Sequence, residues 1–297
     1  MTRYAHPVAG IALVVAACLC FSALDTTTKY VTAGVPLLMA LWFRYAFQAL
    51  ATTVVVLPLR GMRVWRTQHP KFQVLRGVLL LASSLFAFES LKHMPVGEFT
   101  AIVMIAPLVV TLLAATVLKE TVSPLRWLLV AGGFVGTLVI IRPGADTFKW
   151  ATLLPLGLVV TNAWFQVLTS RLARTEDPVT LHLYTGWVGT LIATLALPFV
   201  WTHIDRNVFW FLMGFMGLMG TIGHFLLILG YQRAPAATLT PYLYVQIAFS
   251  MVAGLVVFSH VPDAPALAGI VLIAVCGAGG GWLTVRENRV RMETVQA

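Results

Sequence analysis

The chain has 297 residues, of which 59% are hydrophobic and only 10% are charged, and its mean hydropathy is +0.87. Soluble domains carry roughly 25% charged residues, so this composition excludes an ordinary soluble protein and predicts one that lies in a bilayer. The formal net charge of +9 sits at the ends of apolar segments, which indicates a membrane topology signal and not a nucleic-acid-binding surface.

Ten apolar segments are each long enough to cross the hydrocarbon core as a helix. We therefore expect an all-α integral membrane protein with ten transmembrane helices. The first segment follows Arg3 and resembles a signal peptide, but it has a counterpart in the second half of the chain, so we expect it to stay uncleaved. In chain order the segments cover residues 8–30, 36–59, 72–92, 96–118, 124–141, 150–170, 179–200, 207–230, 237–259 and 265–284.

The two halves of the chain align with each other. When Pro36 is set against Pro178, residues 21–30 fall on residues 163–172 in step. Each half holds five spans, an odd number, so the second half enters the membrane in the opposite sense. Inverted repeats of this kind build secondary transporters, with the substrate site near the midplane between the halves.

We accordingly predict a 5+5 inverted repeat, with residues 1–145 as the first repeat and residues 146–297 as the second repeat plus a short, polar, frayed tail. Lys and Arg are concentrated on one side of the predicted membrane. Because cytoplasmic loops carry the excess of these residues, we expect both termini in the cytoplasm and the protein in the inner (plasma) membrane. The poorer side has only Lys29, Lys92, Arg142, Lys149 and Arg206.

Glycines recur at spacings that favour close helix packing. Gly132 and Gly136, and likewise Gly277 and Gly281, are four residues apart on the last helix of each half. A stripe on the eighth helix is predicted to be a packing surface, with a sliding surface for a moving helix as the alternative. It consists of Gly214, Gly217, Gly220 and Gly223.

Charged residues inside the predicted spans are the first candidates for a substrate site, because a central Arg, Lys or Asp costs at least about 2.5–3.5 kcal/mol there. Arg44 is the deepest of them, about 12 Å along its helix at 1.5 Å per residue. Arg76 is assigned to the cytoplasmic end of the third helix and is left outside this set. The candidates of the first half, all in the outer half of the membrane, are Asp25, Lys29, Arg44, Glu89 and Glu98.

This set contains both signs, so it can hold a zwitterion, with Arg44 toward a carboxylate and an acidic residue toward an amine. Asp25 and Glu89 are the candidate partners of Arg44. The alternative is a structural ion-pair network, in which Asp25 and Lys29 pair because they lie four residues apart on one helical face, or side chains that snorkel to the interface.

The second half has no matching acid–base set and offers aromatic and amide groups instead. Ring faces suit apolar or cationic substrates, and a histidine can relay protons. Ordinary helix packing is the alternative for each of these residues. The candidates are Trp164, Gln166, His224, Tyr242, Tyr244 and Gln246.

The sequence lacks the short motifs of ATP-driven or enzymatic proteins. It has no Gly-rich loop followed by Lys, no H-E-x-x-H, no G-x-S-x-G and no clustered Cys/His ligands. We therefore expect no enzyme, no catalytic residue, no metal and no cofactor. The odd count of cysteines, Cys18, Cys20 and Cys276 inside apolar runs, argues against disulfides.

Local motifs resemble those of the drug/metabolite transporter superfamily, EamA type. Helix 1 ends with Phe21-Ser22, Asp25 and Lys29, and the next helix carries Trp42-Phe43-Arg44 after Pro36. Residues 87–118 are followed by Lys119-Glu120, and Pro124 then opens a Gly-rich helix that ends Ile141-Arg142-Pro143-Gly144. The second half keeps Pro235 and Thr240 but has Ser259-His260 where the family usually shows Lys-Glu.

The resemblance implies movement of small organic solutes, often amino acids and related metabolites and frequently outward, with protons as a candidate coupling ion. We expect a secondary transporter, monomeric or homodimeric, that exports amino acids or related small metabolites by alternating access. An importer of a vitamin, sugar or nucleotide-like solute is the alternative within transport. A non-transporting membrane scaffold or receptor is the alternative of another class, and an intramembrane enzyme ranks last.

Overall fold

The computed structural model is a bundle of helices, and no strand occurs in the residues that it describes. These residues are 7–93, 96–103, 105–117, 119, 122–141, 153–204, 206–259 and 264–296. Within them, six helices are long and apolar enough to cross a membrane, and two further apolar helices are shorter. The predicted all-α membrane class is therefore confirmed.

The helices follow the predicted apolar segments closely, with two interruptions. Their bounds are α1 (Pro7–Val31), α2 (Leu37–Arg60), α3 (Pro70–His93), α4 (Val96–Val103), α5 (Ala106–Thr116), α6 (Pro124–Ile141), α7 (Leu154–Leu172), α8 (Pro178–Val200), α9 (Asn207–Arg233), α10 (Ala236–Leu239), α11 (Val245–Phe258) and α12 (Ala264–Gln296). Two 3₁₀ segments, Gly61–Trp65 and Thr240–Tyr244, complete the described helical structure. The tail expected to fray is helical, because α12 continues to Gln296.

The fourth and ninth predicted helices are each broken, which corrects the prediction of single continuous spans. The fourth becomes α4 and α5, and Pro107 stands in the first turn of α5. The ninth becomes α10, a 3₁₀ segment that contains Pro241, and α11. Proline has no N–H to continue the hydrogen-bond ladder, so it favours a break at these places. Broken helices at membrane depth are tolerated where they are buried in protein or line a cavity.

Helices of the first half pack antiparallel against helices of the second half. The pairs are α1 with α9, α2 with α8, α3 with α7 and α6 with α12, and α4 packs on α11. Along α3 and α7, for example, Ser83 bonds Thr161 at 2.8 Å, and seven residues earlier on α3 Arg76 bonds Thr169 at 3.0 Å. Each half therefore supplies one wall of the interior.

Glycines permit these close contacts, although not all at the predicted positions. A Cβ added at Gly136 would lie 3.0 Å from the carbonyl oxygen of Gly269 on α12. On α12 the close approach uses Gly279 and Gly280, whereas a Cβ on Gly277 would meet only a methyl group at 4.0 Å. The side chain position of Gly281 lies outside the described residues.

Three glycines of the α9 stripe face neighbouring side chains, which favours packing over sliding. Cβ atoms added at Gly217, Gly220 and Gly223 would lie 2.6 Å, 3.1 Å and 2.8 Å from Phe47, Arg44 and Phe21, respectively. Gly214, by contrast, has nothing within 4 Å of an added Cβ. The stripe therefore brings α9 close to α1 and α2 at the level of Arg44.

We expect Gly136→Leu to lower the melting temperature and the yield of folded protein, because a backbone oxygen of α12 blocks the new side chain and cannot turn away. Gly214→Leu is the matched control, since it adds the same side chain into open space. Fluorescence-detected melting in detergent measures both. Equal melting temperatures for the two variants would show that α6 and α12 do not depend on this contact.

One end of the bundle is closed by polar contacts between the α2–α3 and α7–α8 connections, and we call it the basic end after its Arg60, Arg63, Arg66, Lys71, Arg171 and Arg174. Glu176 is buried there, and its Oε1 accepts bonds from the Thr67 hydroxyl at 2.9 Å and from the backbone N–H of Gln68 at 2.9 Å. Arg60 pairs with Asp177 at 2.8 Å. These contacts tie the two halves together at this end.

Candidate functional site

A cavity of about 120 Å³ lies between the two halves and beside both helix breaks. Val103 and Ala106, on either side of the break between α4 and α5, contribute to its wall, as do Leu243 and Gln246 at the second break. The polar lining residues are Asp25, Arg44, Ser83, Ser84, Asn162, Gln166, His224 and Gln246, and the aromatic ones are Phe21, Phe88, Phe99 and Phe165.

Arg44 is the most buried cation of the cavity, with 3% of its surface exposed. Its Nη1 donates to the hydroxyls of Ser84 and, at 3.4 Å, Tyr45. The Ser84 hydroxyl donates its own hydrogen to the carbonyl of Leu80 at 2.9 Å, so it accepts from its other neighbours. Nε of Arg44 is buried and has no hydrogen-bond partner in the described structure. The side chain is thus fixed in place while part of its donor capacity is unused.

Asp25 lies in the same cavity and is held from the other half of the chain. The Gln246 amide donates to its Oδ2 at 3.1 Å. The predicted pair with Lys29 does not form, because Lys29 turns away and donates to the carbonyl of Leu91 at 3.2 Å. Arg44 likewise has no carboxylate within 4 Å among the described residues. A cation and an anion therefore share one cavity without pairing.

His224 offers the cavity a ring nitrogen and an aromatic surface. Its Nδ1 lies 2.9 Å from the carbonyl of Gly220, and since a carbonyl only accepts, Nδ1 carries a hydrogen. In the neutral imidazole, Nε2 is then an acceptor. The ring meets Phe21 edge-on at 4.8 Å between centroids and lies 6.0 Å from Phe165. These rings form an aromatic wall on the side of α1, α7 and α9.

Gln166 also lines the cavity, and its amide is oriented by two neighbours. Its Nε2 donates to Asn162 one turn earlier on α7, and its Oε1 accepts from the Tyr231 hydroxyl at 2.5 Å. The Asn162 side chain faces the same cavity. Together they supply fixed amide groups opposite the charged residues of the first half.

Of the eleven candidate residues, five line the cavity, and five others, Lys29 among them, do not. Glu89 lies on an exposed part of α3 and pairs with Lys92 and His93, each at 3.0 Å. Trp164 is 40% exposed on the outer face of α7. Tyr242 and Tyr244 are buried in apolar clusters beside Cys18 and Val130, respectively. The side chain of Glu98 lies outside the described residues.

Several cavity residues were missed by sequence reasoning. Ser83, Ser84 and Asn162 are small polar residues inside apolar helices, and Asn162 stands four residues before Gln166, so a helical face shared by amides was the available signal. Phe165 carried no signal that separates a cavity aromatic from a packing one. Arg76, set aside as a residue of a helix end, is fully buried.

The chain is similar to proteins that are named as membrane transporters. Residues 8–142 match the model of the EamA-like transporter family. A riboflavin transporter of Brucella anthropi is 27% identical over 87% of this chain and 93% of its own length. An S-adenosylmethionine uptake transporter of Rickettsia bellii is 26% identical over 85% of this chain and 86% of its own length.

The fold is also shared with a solved structure. A crystal structure of a protein that is 22% identical superposes with a TM-score of 0.77, over 95% of this chain and 99% of that one. That structure therefore shares the fold of nearly the whole helical bundle. Residues 8–142 of the chain therefore form a domain of the EamA-like transporter family.

Proposed function

We propose that this small-molecule transporter of the EamA family carries an amino-acid-like solute, one that bears a carboxylate, an amine and a ring. The observation that carries the proposal is the pair of opposite charges in one cavity that do not pair with each other, Arg44 and Asp25. The solute would bind Arg44 with its carboxylate and Asp25 with its amine. This role needs no catalytic residue.

The cost of burial supports a ligand for Arg44. A buried charge without a counter-ion is strongly unfavourable, so a guanidinium inside a membrane protein that lacks a carboxylate partner is a candidate for a ligand path. The planar guanidinium can grip a carboxylate through two parallel bonds. Its unused Nε–H and the fixed contact with Ser84 suit this grip.

The remaining lining suits the rest of such a solute. Phe21, Phe165 and His224 present ring faces and edges to a flat group. The amides of Asn162 and Gln166 can exchange hydrogen bonds with ring nitrogens or hydroxyls. Protons are the proposed coupling ion, since Asp25 and His224 are titratable groups of the cavity wall.

Alternating access is the proposed mechanism, around the cavity between two inverted repeats, residues 1–145 and 146–297. Three features support the ten-span 5+5 repeat. First, the second and fifth spans of one half pair with the second and fifth spans of the other, and the first span of each half pairs with the third span of the other. Second, each half has one helix that is broken in the described residues. Third, both breaks reach the cavity. Broken helices at the repeat interface are typical of transporter binding sites.

For topology, we propose that the basic end faces the cytoplasm of a bacterial cell and that both termini lie there, in the inner membrane. The excess of Lys and Arg at this end supports the assignment. A membrane-impermeant reagent applied to intact cells should then fail to label a cysteine placed in residues 286–297. Rapid labelling from outside would show that the topology is the opposite of the one proposed.

A riboflavin-like heterocycle is the second candidate solute, because the aromatic and amide lining suits a flat ring and a relative of that name spans nearly the whole chain. Export is retained as the working direction from the family resemblance. Uptake is the alternative, and it is the role in the name of the Rickettsia bellii relative.

Counterflow in proteoliposomes tests the function. Vesicles loaded with unlabelled solute should accumulate labelled solute only if the protein carries it. We expect counterflow of S-adenosylmethionine and of amino acids with large side chains, and inhibition by compounds that keep both the carboxylate and the amine. Empty liposomes and the Gly214→Leu variant are the controls.

The outcomes separate the candidates. Counterflow of riboflavin alone, without inhibition by zwitterions, would replace the first solute class by the second. Absence of counterflow with either class, in protein that melts cooperatively, would contradict both and favour a scaffold or receptor. If labelled solute left inside-out vesicles when a proton gradient was imposed, the result would instead indicate uptake, because the lumen of such a vesicle corresponds to the outside of the cell.

A further inference from the structure

A second buried guanidinium lies beyond the cavity, on the side of the basic end. Arg76 is fully buried in α3, where its Nε donates to Thr169 at 3.0 Å. Its Nη1 donates to Gln73 and to the carbonyl of Leu181, both at 3.2 Å. The side chain therefore reaches from α3 to both α7 and α8 of the other half.

The charge of Arg76 is not neutralised by the protein. No carboxylate lies within 4 Å of it among the described residues, and its Nη2 is buried without a hydrogen-bond partner. A buried cation in this state is unfavourable unless an anion or water reaches it. The unused Nη2–H of Arg76 can therefore donate a hydrogen bond to a ligand.

Two residues of the neighbouring helices α2 and α8 also leave buried polar atoms unused. Arg76 donates to the carbonyl of Leu181. The carbonyl of the next residue, His182, accepts a hydrogen bond from the Gln48 amide at 3.1 Å. Nε2 of His182 and Oε1 of Gln48 are both buried and have no partner in the described structure. An unused donor on α3, an unused acceptor on α2 and an unused imidazole nitrogen on α8 are therefore buried on neighbouring helices.

Phe165 connects this cluster to the cavity. Its ring lines the cavity, and the same ring lies 5.2 Å from Cζ of Arg76. The Phe165 ring thus contacts both the guanidinium of Arg76 and the cavity that Arg44 lines. A rotation of Phe165 is the smallest change that would join them.

We propose that Arg76 and His182 form a second binding site for the oxyanion group of the solute, used when the transporter is open toward the basic end, with Gln48 holding the backbone of His182 in place. The carboxylate leaves Arg44, passes Phe165 and binds the unused Nη2–H of Arg76. The identity of the solute at this site rests on the proposed function, whereas the affinity of the site for an oxyanion does not. The proposed transport path would then have two guanidinium groups, Arg44 before Phe165 and Arg76 after it.

Transport measured from each face of the membrane tests the site. In vesicles with the basic end outside, Arg76→Gln should raise the half-saturating concentration of S-adenosylmethionine about tenfold, the effect of losing one charge-assisted hydrogen bond. With the opposite face outside, it should remain unchanged. Arg171→Gln, which removes an exposed cation of the same end, is the matched control and should change neither value.

A purely structural role would give another pattern. Arg76→Gln would then lower the melting temperature and the number of active molecules, with equal half-saturating concentrations on both faces, and this result would overturn the proposal. Should this variant not accumulate, His182→Gln replaces it, with the same expected asymmetry between the faces. No asymmetry in either variant would also overturn it.

A binding measurement covers the case in which the cargo is another compound. Sulfate, compared with chloride at matched ionic strength, should raise the melting temperature of purified Arg44→Ala protein. The rise should be clearly smaller in the double variant Arg44→Ala/Arg76→Gln, because the general stabilising effect of sulfate acts on both proteins. Equal stabilisation of both would exclude an oxyanion site at Arg76, whereas absence of transport in the unmodified protein would contradict only the proposed function.

Discussion

Arg44→Ala should lower transport of a carboxylate-bearing solute by about 100-fold per folded molecule. The guanidinium is buried, it is fixed by Ser84 and Tyr45, and it is the only described cation in the cavity lining, so nothing replaces its grip. Hydrogen bonds to charged groups contribute about 1.5–3 kcal/mol each, and a two-bond grip reaches this loss. Initial counterflow rates, divided by the amount of folded transporter, measure it.

Arg44→Lys separates charge from geometry. It keeps the cation but loses the planar fork, so we expect a smaller loss, about tenfold. Arg171→Ala is the matched control for an exposed cation. If Arg44→Ala lowered the melting temperature while the surviving protein transported at the normal rate, Arg44 would be a structural residue and the solute assignment would fail.

Asp25→Asn should abolish selectivity for the amine. The replacement is isosteric, and its side-chain oxygen can still accept from Gln246, so the contact with α11 survives while the charge is removed. We expect about a 10- to 100-fold loss of transport for solutes that carry an ammonium group, in keeping with one lost charge-assisted hydrogen bond. Counterflow of S-adenosylmethionine measures this loss.

An analogue without the amine provides the control. A carboxylate that lacks an ammonium group should be carried by Asp25→Asn as well as by the unmodified protein. Equal losses for both solutes would show that Asp25 serves another step, such as proton coupling, and would remove it from the solute site.

The helical class was predictable because apolar length is written directly in the sequence, from Pro7–Val31 through Asn207–Arg233. The breaks were not, because Pro107 and Pro241 lie inside apolar runs where a proline either bends a helix or ends it. Which outcome occurs depends on the neighbouring helices. Those neighbours are set by tertiary packing, as in the contact of α4 with α11.

The candidate site was predictable where burial of charge or amide was itself the signal, as for Arg44, Asp25 and Gln246. It failed where the orientation of a helix face decides. Glu89 and Ser84 lie five residues apart on α3, yet Glu89 is part of an exposed ion-pair cluster and Ser84 holds Arg44. Trp164 and Phe165 are adjacent on α7 and point to lipid and cavity, respectively.

Accessibility of a cysteine in the cavity from both faces of the membrane tests the central claim most directly. Ala87→Cys places a small thiol in the lining, and it is introduced into the Cys20→Ser variant, which keeps only the buried Cys18 and Cys276 and is the background. A membrane-impermeant thiol reagent should label Ala87→Cys both from right-side-out and from inside-out vesicles, and S-adenosylmethionine should slow labelling from each. Labelling from one face alone, with or without solute, would contradict alternating access through this cavity.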